Sequence, residues 1–229
     1  MTSLQKWGKS VRTTIPVMAG YLVLGAGFGI LLRTRGYGLG WALAMSAFIY
    51  AGSMQYVAID LLTGGASLLT TAVTTLFVNA RHLFYGISML ERYRAAGKYA
   101  PYLIFSLTDE TYSLVAARED LTGAECFRIS LLDQLYWVLG TALGSLAGAY
   151  LDFNTTGIDF SLTALFLTVF PEQWLETKDH APALIGLGVS IVCRLLFGAD
   201  SFLLPTMGGM LCCLLVLDAR RTKKGGESV

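Results

Sequence analysis

The stretch IPVMAGYLVLGAGFGILL, residues 15–32, decides the class of this chain. Lys6, Lys9 and Arg12 precede it, as a basic region precedes the apolar part of a signal peptide. The run is longer than the roughly 7–15 apolar residues of a cleaved signal, and more apolar runs follow it where a polar mature domain would stand. It is read as a retained first membrane helix. Its GAGFG segment lacks the preceding strand that a nucleotide-binding glycine loop needs. Gly25 and Gly29 are instead spaced for close helix packing, as are Gly140, Gly144 and Gly148 further on.

The 229 residues are 54% hydrophobic and only 14% charged, against about 25% charged in soluble domains. Apolar runs lie at 15–32, 41–63, 66–90, 101–117, 127–150, 158–171, 182–199 and 201–218, many close to the roughly 20 residues that span a bilayer. The alternation of barrel strands is absent. The expected fold is therefore an all-α polytopic integral membrane protein with about seven to eight hydrophobic segments, one or two of them re-entrant or broken. It reads as a single transport domain over residues 1–229, with a polar N-terminal segment (1–14) and a basic tail (219–229). No internal repeat is evident.

A net charge of +1 lacks the basic face that nucleic acid would require. Cys193, Cys212 and Cys213 sit in apolar runs and Cys126 in a loop, without metal-ligand spacing, so they read as small hydrophobes. Neither a metal nor a cofactor is expected.

Basic residues favour cytoplasmic loops. The segment ERYRAAGK (91–98) and the tail Arg220, Arg221, Lys223, Lys224 are basic, whereas Asp152 and Asp159 mark an acidic, outer loop. A cytoplasmic C-terminus follows. Keeping both basic segments inside works if 101–117 enters and returns on the cytoplasmic side, which leaves the N-terminus outside. The alternative makes the 41–63 run re-entrant and puts both termini inside. Both segments carry features that break a membrane helix: YAGSMQ (50–55), with Gly52, Ser53 and the amide of Gln55, and SLTDETYSLVAA (106–117), with Asp109 and Glu110. Irregular backbone at membrane depth is tolerated where it lines a cavity, so these interruptions point inward.

The other polar site is FVNARHLFYG (77–86). Asn79 and His82, three apart, are expected on one helix face with Arg81 beside them. Arg81 stands about nine residues, roughly 13 Å, from the end of its run. An arginine at the bilayer centre costs about 2.5–3.5 kcal/mol, so a compensating group is required. Asp109 and Glu110, about 100° apart on a helix, cannot share a face, so one is free to pair with Arg81 while the other meets water or substrate. Against these readings stand a structural ion pair and a wet loop. Arg194, Asp60 and Asp133 lie near run ends and read as structural, His180 as solvated, and Trp41, Trp137 and Trp174 as an interfacial belt. No HExxH, GxSxG or paired-carboxylate protease arrangement is present, so an enzyme is not expected. An ion channel or a non-transporting membrane partner subunit is the rival class, but opposite charges within one chain suit a transporter better than a ring of like residues.

In order along the chain, IPVMAGYLVLGAGFGIL (15–31), FIYAGSMQY (48–56), LFVNARHLFYG (76–86), TDETYSL (108–114) and GIDFSLTALFL (157–167) resemble the azaleucine-resistance family, the AzlC-type large subunits of branched-chain amino acid exporters. The resemblance runs from about residue 10 to the last apolar run. It implies a bacterial inner-membrane exporter of valine, leucine, isoleucine and methionine, working with a small AzlD-type subunit. A zwitterion with a branched side chain needs a cation or helix N-terminus, an acid, and an apolar pocket. Arg81, or the backbone at Gly52 and Ser53, is the candidate for the first, and Asp109 or Glu110 for the second. Asn79, His82 and Gln55 are candidate neighbours. A carboxylate buried there is suited to carry the proton that drives export.

Overall fold

The computed structural model describes residues 3–116, 118, 120–150, 160, 163, 167, 171, 174–175 and 179–226. Most of the run 158–171, the loop of Asp152 and Asp159, and most of GIDFSLTALFL fall outside these. Among the described residues there is no β-strand, in keeping with the all-α expectation. Residues 1–164 and 165–229 form two compact units.

The first unit comprises α1 (Ser3–Thr34), α2 (Leu39–Ala44) running into a π-turn (Met45–Ile49), α3 (Gly52–Thr63), α4 (Leu68–Val78), α5 (Ala80–Ala95), a 3₁₀ turn (Gly97–Tyr99), α6 (Ala100–Phe105), α7 (Asp109–Ala116) and α8 (Gly123–Tyr150). The described part of the polar N-terminal segment is helical and continuous with the first span. Its hydroxyls turn inward on the helix backbone, with Ser10 Oγ donating to Lys6 O at 3.2 Å.

Helices α1 and α8 lie side by side and run in the same direction. A Cβ on Gly25 would stand 2.8 Å from Trp137 O, and one on Gly140 2.7 Å from Leu22 O. At Gly29 and Gly144 it would meet the backbone of Thr141 and Ala26 more closely still. Gly148 faces Ile30 and Arg33. The two glycine rows of the sequence therefore pack against each other's helices within one chain. Helix α8 opens on a capping box: Glu125 N–H donates to Thr122 Oγ1 at 3.3 Å, and Thr122 N–H returns to Glu125 Oε2 at 3.0 Å. Those bonds from Thr122, backbone first and hydroxyl second, hold the Glu125 carboxyl below its ordinary pKa. The early helix start corrects three expectations. Cys126 is in a helix and buried, Asp133 lies roughly three turns in rather than near an end, and Trp137 is buried at the centre instead of belonging to an interfacial belt.

The runs 41–63 and 101–117, which the sequence offered as alternative sites of a reversal, both fold back on themselves. Chain entering through α2 reaches the middle of α8, where Ser46 Oγ donates to Thr141 Oγ1 at 2.9 Å. It then reverses. Tyr50 N–H bonds Met45 O, five residues back, at 3.2 Å, and Tyr50 takes the left-handed conformation (φ 43°). Helix α3 returns to the end it came from: the Tyr56 hydroxyl donates to Leu24 O at 2.7 Å, and Asp60 shares a cavity wall with Leu31 and Arg35. The second hairpin enters from the opposite end. Pro101 sits in the first turn of α6, where its missing N–H costs nothing. Phe105 reaches Tyr50, ring centroids 6.5 Å apart. Helix α7 then goes back, and near its end Val115 O accepts from Arg92 at 2.6 Å while Arg118 Nη1 donates to Thr13 Oγ1 at 3.0 Å.

Between the hairpins, α4 and α5 together run from one end of the unit to the other, interrupted at Asn79 (φ −93°, ψ 4°). An end-to-end run followed by a hairpin thus occurs twice, in opposite senses. This is the topology of an inverted repeat, undisclosed by any internal likeness of sequence. It also gathers charge: α1 begins at the end where α5 and α7 finish and α8 starts. Lys9 pairs there with Glu125 at 3.8 Å, beside Arg92, Arg118 and Arg128.

The second unit contains α9 (Ala181–Ser201) and α10 (Leu203–Gly226), packed together through Gly209 against Val189 and Gly186 against Met210. Gly198 (φ 75°) breaks α9 near its end. The Arg194 guanidinium lies over the Phe202 ring at 5.5 Å. His180 stacks on Trp174, centroids 4.1 Å apart, so it is not simply solvated. Among the described helices, Leu4–Thr34 and Ala181–Gly198, of mean hydropathy 2.0 and 1.9, are long and apolar enough to cross a membrane unaided.

The glycine contact is testable. Gly144→Leu forces a side chain into the Ala26 backbone and is expected to cost more than the roughly 1–3 kcal/mol typical of overpacking, emptying the monodisperse peak in detergent size exclusion. Gly20→Leu, at a glycine with nothing within 4 Å, should leave that peak unchanged. Equal behaviour of the two variants would refute the packing.

Candidate functional site

Three helices begin near the middle of the first unit: α3 at Gly52, α5 at Ala80 and α7 at Asp109. Each is the second half of a broken run, so its first N–H groups lack intrahelical partners and carry partial positive charge. Arg81 joins them. Its Nη1 forms an ion pair with Asp109 Oδ2 and its Nη2 donates to Ser53 Oγ. Ser53, Arg81 and Asp109, picked from separate stretches of sequence, therefore meet. The two charged side chains remain 32% and 34% exposed, enough for a solute to reach them. Asn79 Oδ1 and Arg81 Nε are buried and make no hydrogen bond among the described residues.

Glu110 points elsewhere, its Oε2 accepting from the Tyr21 hydroxyl at 2.7 Å. Gln55 is held in the packing between hairpin and frame: Trp137 Nε1 donates to its Oε1 at 2.9 Å, and its Nε2 donates to Ser46 Oγ at 3.2 Å. Gly52 is the glycine that lets this happen, because a Cβ there would stand 3.1 Å from the Trp137 ring. Asn79 and His82 lie at and after the break, His82 N–H bonding Asn79 O at 2.9 Å. Both face a cavity of about 530 Å³, otherwise lined largely by apolar groups such as Ile49, Leu83, Ile87 and Phe105. That volume lies within the usual range for small-molecule pockets, about 300–1,000 Å³.

Sequence reading missed a second polar cluster. Thr108 caps α7 by accepting from Thr111 N–H at 3.3 Å, and its hydroxyl lies 2.7 Å from that of Tyr21. Thr111 Oγ1 donates to Asp133 Oδ2 at 2.9 Å, and Asp133 is wholly buried. A threonine directly before two acids, with another three residues on, was the available cue for a helix cap.

A family model described as AzlC protein matches residues 16–151. The chain is 46% identical over 209 residues to the branched-chain amino acid transport protein AzlC of Bacillus subtilis, covering 89% of this chain and 82% of that one. This chain belongs to the AzlC family. An uncharacterized membrane protein of Haemophilus influenzae is 42% identical over 216 residues, 92% of this chain and 87% of its own. The inner membrane protein YgaZ of Escherichia coli is 26% identical over 222 residues, 90% and 87% of the two chains. No solved structure matches. The chain is accordingly a membrane protein of a transport family, and the family model spans the crossings and hairpins that build the site.

Removing one member of the Arg81–Asp109 pair leaves the other uncompensated. Because both are partly exposed, the expected loss for Arg81→Ala or Asp109→Asn sits near the lower end for buried pairs, about 3 kcal/mol. The double variant should melt closer to the wild type than either single variant does. Additive losses in the double variant would show that the contact has no energetic weight.

Proposed function

We propose that this AzlC-family chain is a secondary transporter that exports branched-chain amino acids (valine, leucine, isoleucine) and methionine across the bacterial inner membrane, driven by the proton motive force. The observation that carries this reading is the meeting of Ser53, Arg81 and Asp109 at half-helix N-termini beside the apolar cavity. A carboxylate fits Arg81 and the free N–H groups of α3 and α5, an ammonium fits Asp109, and a branched aliphatic group fits Ile49, Leu83 and Ile87. Asn79 and His82 stand at the polar edge of that volume. The printed name of the Bacillus subtilis relative, a branched-chain amino acid transport protein, supports the substrate class. A small AzlD-type membrane subunit is its partner in this reading.

The test uses inverted membrane vesicles, with labelled valine, leucine, isoleucine and methionine supplied outside. A lumen-acid pH gradient should drive accumulation in vesicles carrying this chain together with the small subunit, and not in vesicles lacking the chain. No accumulation with both subunits present would sink the reading, and full accumulation without the small subunit would remove the partner.

The end that holds Lys6, Lys9, Arg12, Arg92 and Arg118 is assigned to the cytoplasm, since basic residues favour that side. The same rule assigns the tail with Arg220, Arg221, Lys223 and Lys224 to the cytoplasm. A C-terminal fusion should then be active with a cytoplasmic fluorescent reporter and silent with a periplasmic phosphatase. The reverse pattern would overturn the assignment.

A further inference from the structure

The substrate reading uses Arg81, Asp109 and Ser53 and leaves a second carboxylate system unexplained. Asp133 is fully buried, its Oδ1 makes no hydrogen bond among the described residues, and its Oδ2 takes one from Thr111. Beyond Thr111 the contacts continue in a line. Thr111 Oγ1 lies 3.1 Å from Thr108 Oγ1, which lies 2.7 Å from the Tyr21 hydroxyl, which lies 2.7 Å from Glu110 Oε2. Two carboxylates are thus joined by three hydroxyls, with every link within hydrogen-bond distance. One end, Glu110, is half-buried; the other is sealed.

The charges around this line limit how it can be occupied. Among the described residues, the titratable groups within electrostatic reach of Asp133 include Glu110, Tyr50 and Tyr102. Near Glu110 stand Tyr21, Tyr50 and His82. Arg81 is already engaged by Asp109. No cation pairs with Asp133 among the described residues, and two ionised carboxylates on one desolvated line repel each other with nothing to offset the burial. One proton shared between them removes one of the charges.

We propose that Glu110, Tyr21, Thr108, Thr111 and Asp133 form a single-proton relay that couples proton movement to transport, apart from the substrate's own ion pair. This rests on the proposed proton-driven export. With the proton on Glu110, its O–H donates to Tyr21, Tyr21 to Thr108, Thr108 to Thr111, and Thr111 to the Asp133 carboxylate. Transfer breaks the O–H bond of Glu110, passes each hydroxyl proton one oxygen along, and forms an O–H bond on Asp133. Every donor then points the other way, no hydroxyl is left charged, and only the two carboxylates have exchanged state. The line crosses three parts of the fold: Tyr21 on α1, Asp133 on α8, and the other three on the second hairpin. Displacement of that hairpin from the α1–α8 frame severs it. Proton transfer is therefore confined to one arrangement of the hairpin, which is what coupling requires.

The experiment compares Asp133→Asn, Tyr21→Phe and Thr111→Val with the wild type, each with its small subunit, in vesicles preloaded for leucine exchange and separately under a pH gradient. Transfer through a positioned side chain is worth roughly 10²–10⁴ in rate, so gradient-driven leucine accumulation should fall at least about 10²-fold in each variant. Leucine-for-leucine exchange and its half-saturating concentration should stay as in the wild type. A merely structural network would instead lower exchange, gradient-driven transport and melting temperature together. Tyr21→Phe or Thr111→Val with normal gradient coupling overturns the relay.

A second measurement needs no transport. Infrared spectra of the wild type near neutral pH should show a protonated carboxyl band that Asp133→Asn and Glu110→Gln each remove or shift. Absence of that band in the wild type overturns the relay. If the band behaves as expected but no branched-chain amino acid is moved by the wild type, the shared proton stands and the export reading is the one that fails.

Discussion

The rest of the first unit depends on the backbone contact between α1 and α8. Lipid tails are as apolar as leucine, so helices in a membrane gain little from hiding greasy side chains from their surroundings. What holds them is the fit of surfaces. Gly25 and Gly29 on one helix and Gly140, Gly144 and Gly148 on the other leave no Cβ between two backbones, and the helices run parallel for most of their length. The frame made this way projects two side chains toward the hairpins. Trp137 lies under Gly52 and bonds Gln55, holding the first hairpin. Tyr21 meets the second hairpin at Thr108 and Glu110.

Ending a helix inside a packed unit leaves polar backbone groups that need new partners. The hairpin tips meet that need locally. Ala47 O accepts from Gln134 Nε2 at 3.1 Å, Tyr50 N–H takes the wide turn to Met45, and Thr108 caps α7. Each broken run brings a carbonyl end, where its first half stops, and an N–H end, where its second half starts, to the middle of the unit. Partial charges of both signs thereby meet there, and Arg81 and Asp109 add one discrete charge of each sign.

The class of fold was legible in composition alone, and the two reversals were legible as alternatives because Gly52-Ser53 and Asp109-Glu110 are poor residues for continuous spans. Meeting of Ser53, Arg81 and Asp109 was half legible. Arg81 demanded a counter-charge, but periodicity could not say which acid supplies it, because that depends on where the hairpin turns. The break at Asn79 carried no proline or glycine and was missed. So was Asp133: its distance from the end of an apolar run looked short, since the capping box of Thr122 and Glu125 extends the helix beyond the run. The inverted arrangement of the halves was invisible, as it lives in direction of travel and not in matching residues. Trp137 misled for a related reason, because an indole on an apolar run reads the same at an interface and at a centre.

Under the proposed function, the ion pair also sets the affinity of its ligand. Arg81 reaches from α5 to the tip of both hairpins, to Ser53 on one and Asp109 on the other. A zwitterion that engages the guanidinium and the carboxylate displaces each from the other, so its net binding is its contacts less those of the closed clasp. Such a site is self-occluding when empty. On that reading it would hold its ligand loosely for the number of charges it offers, and a bound ligand would loosen the link that Arg81 makes between the two hairpins.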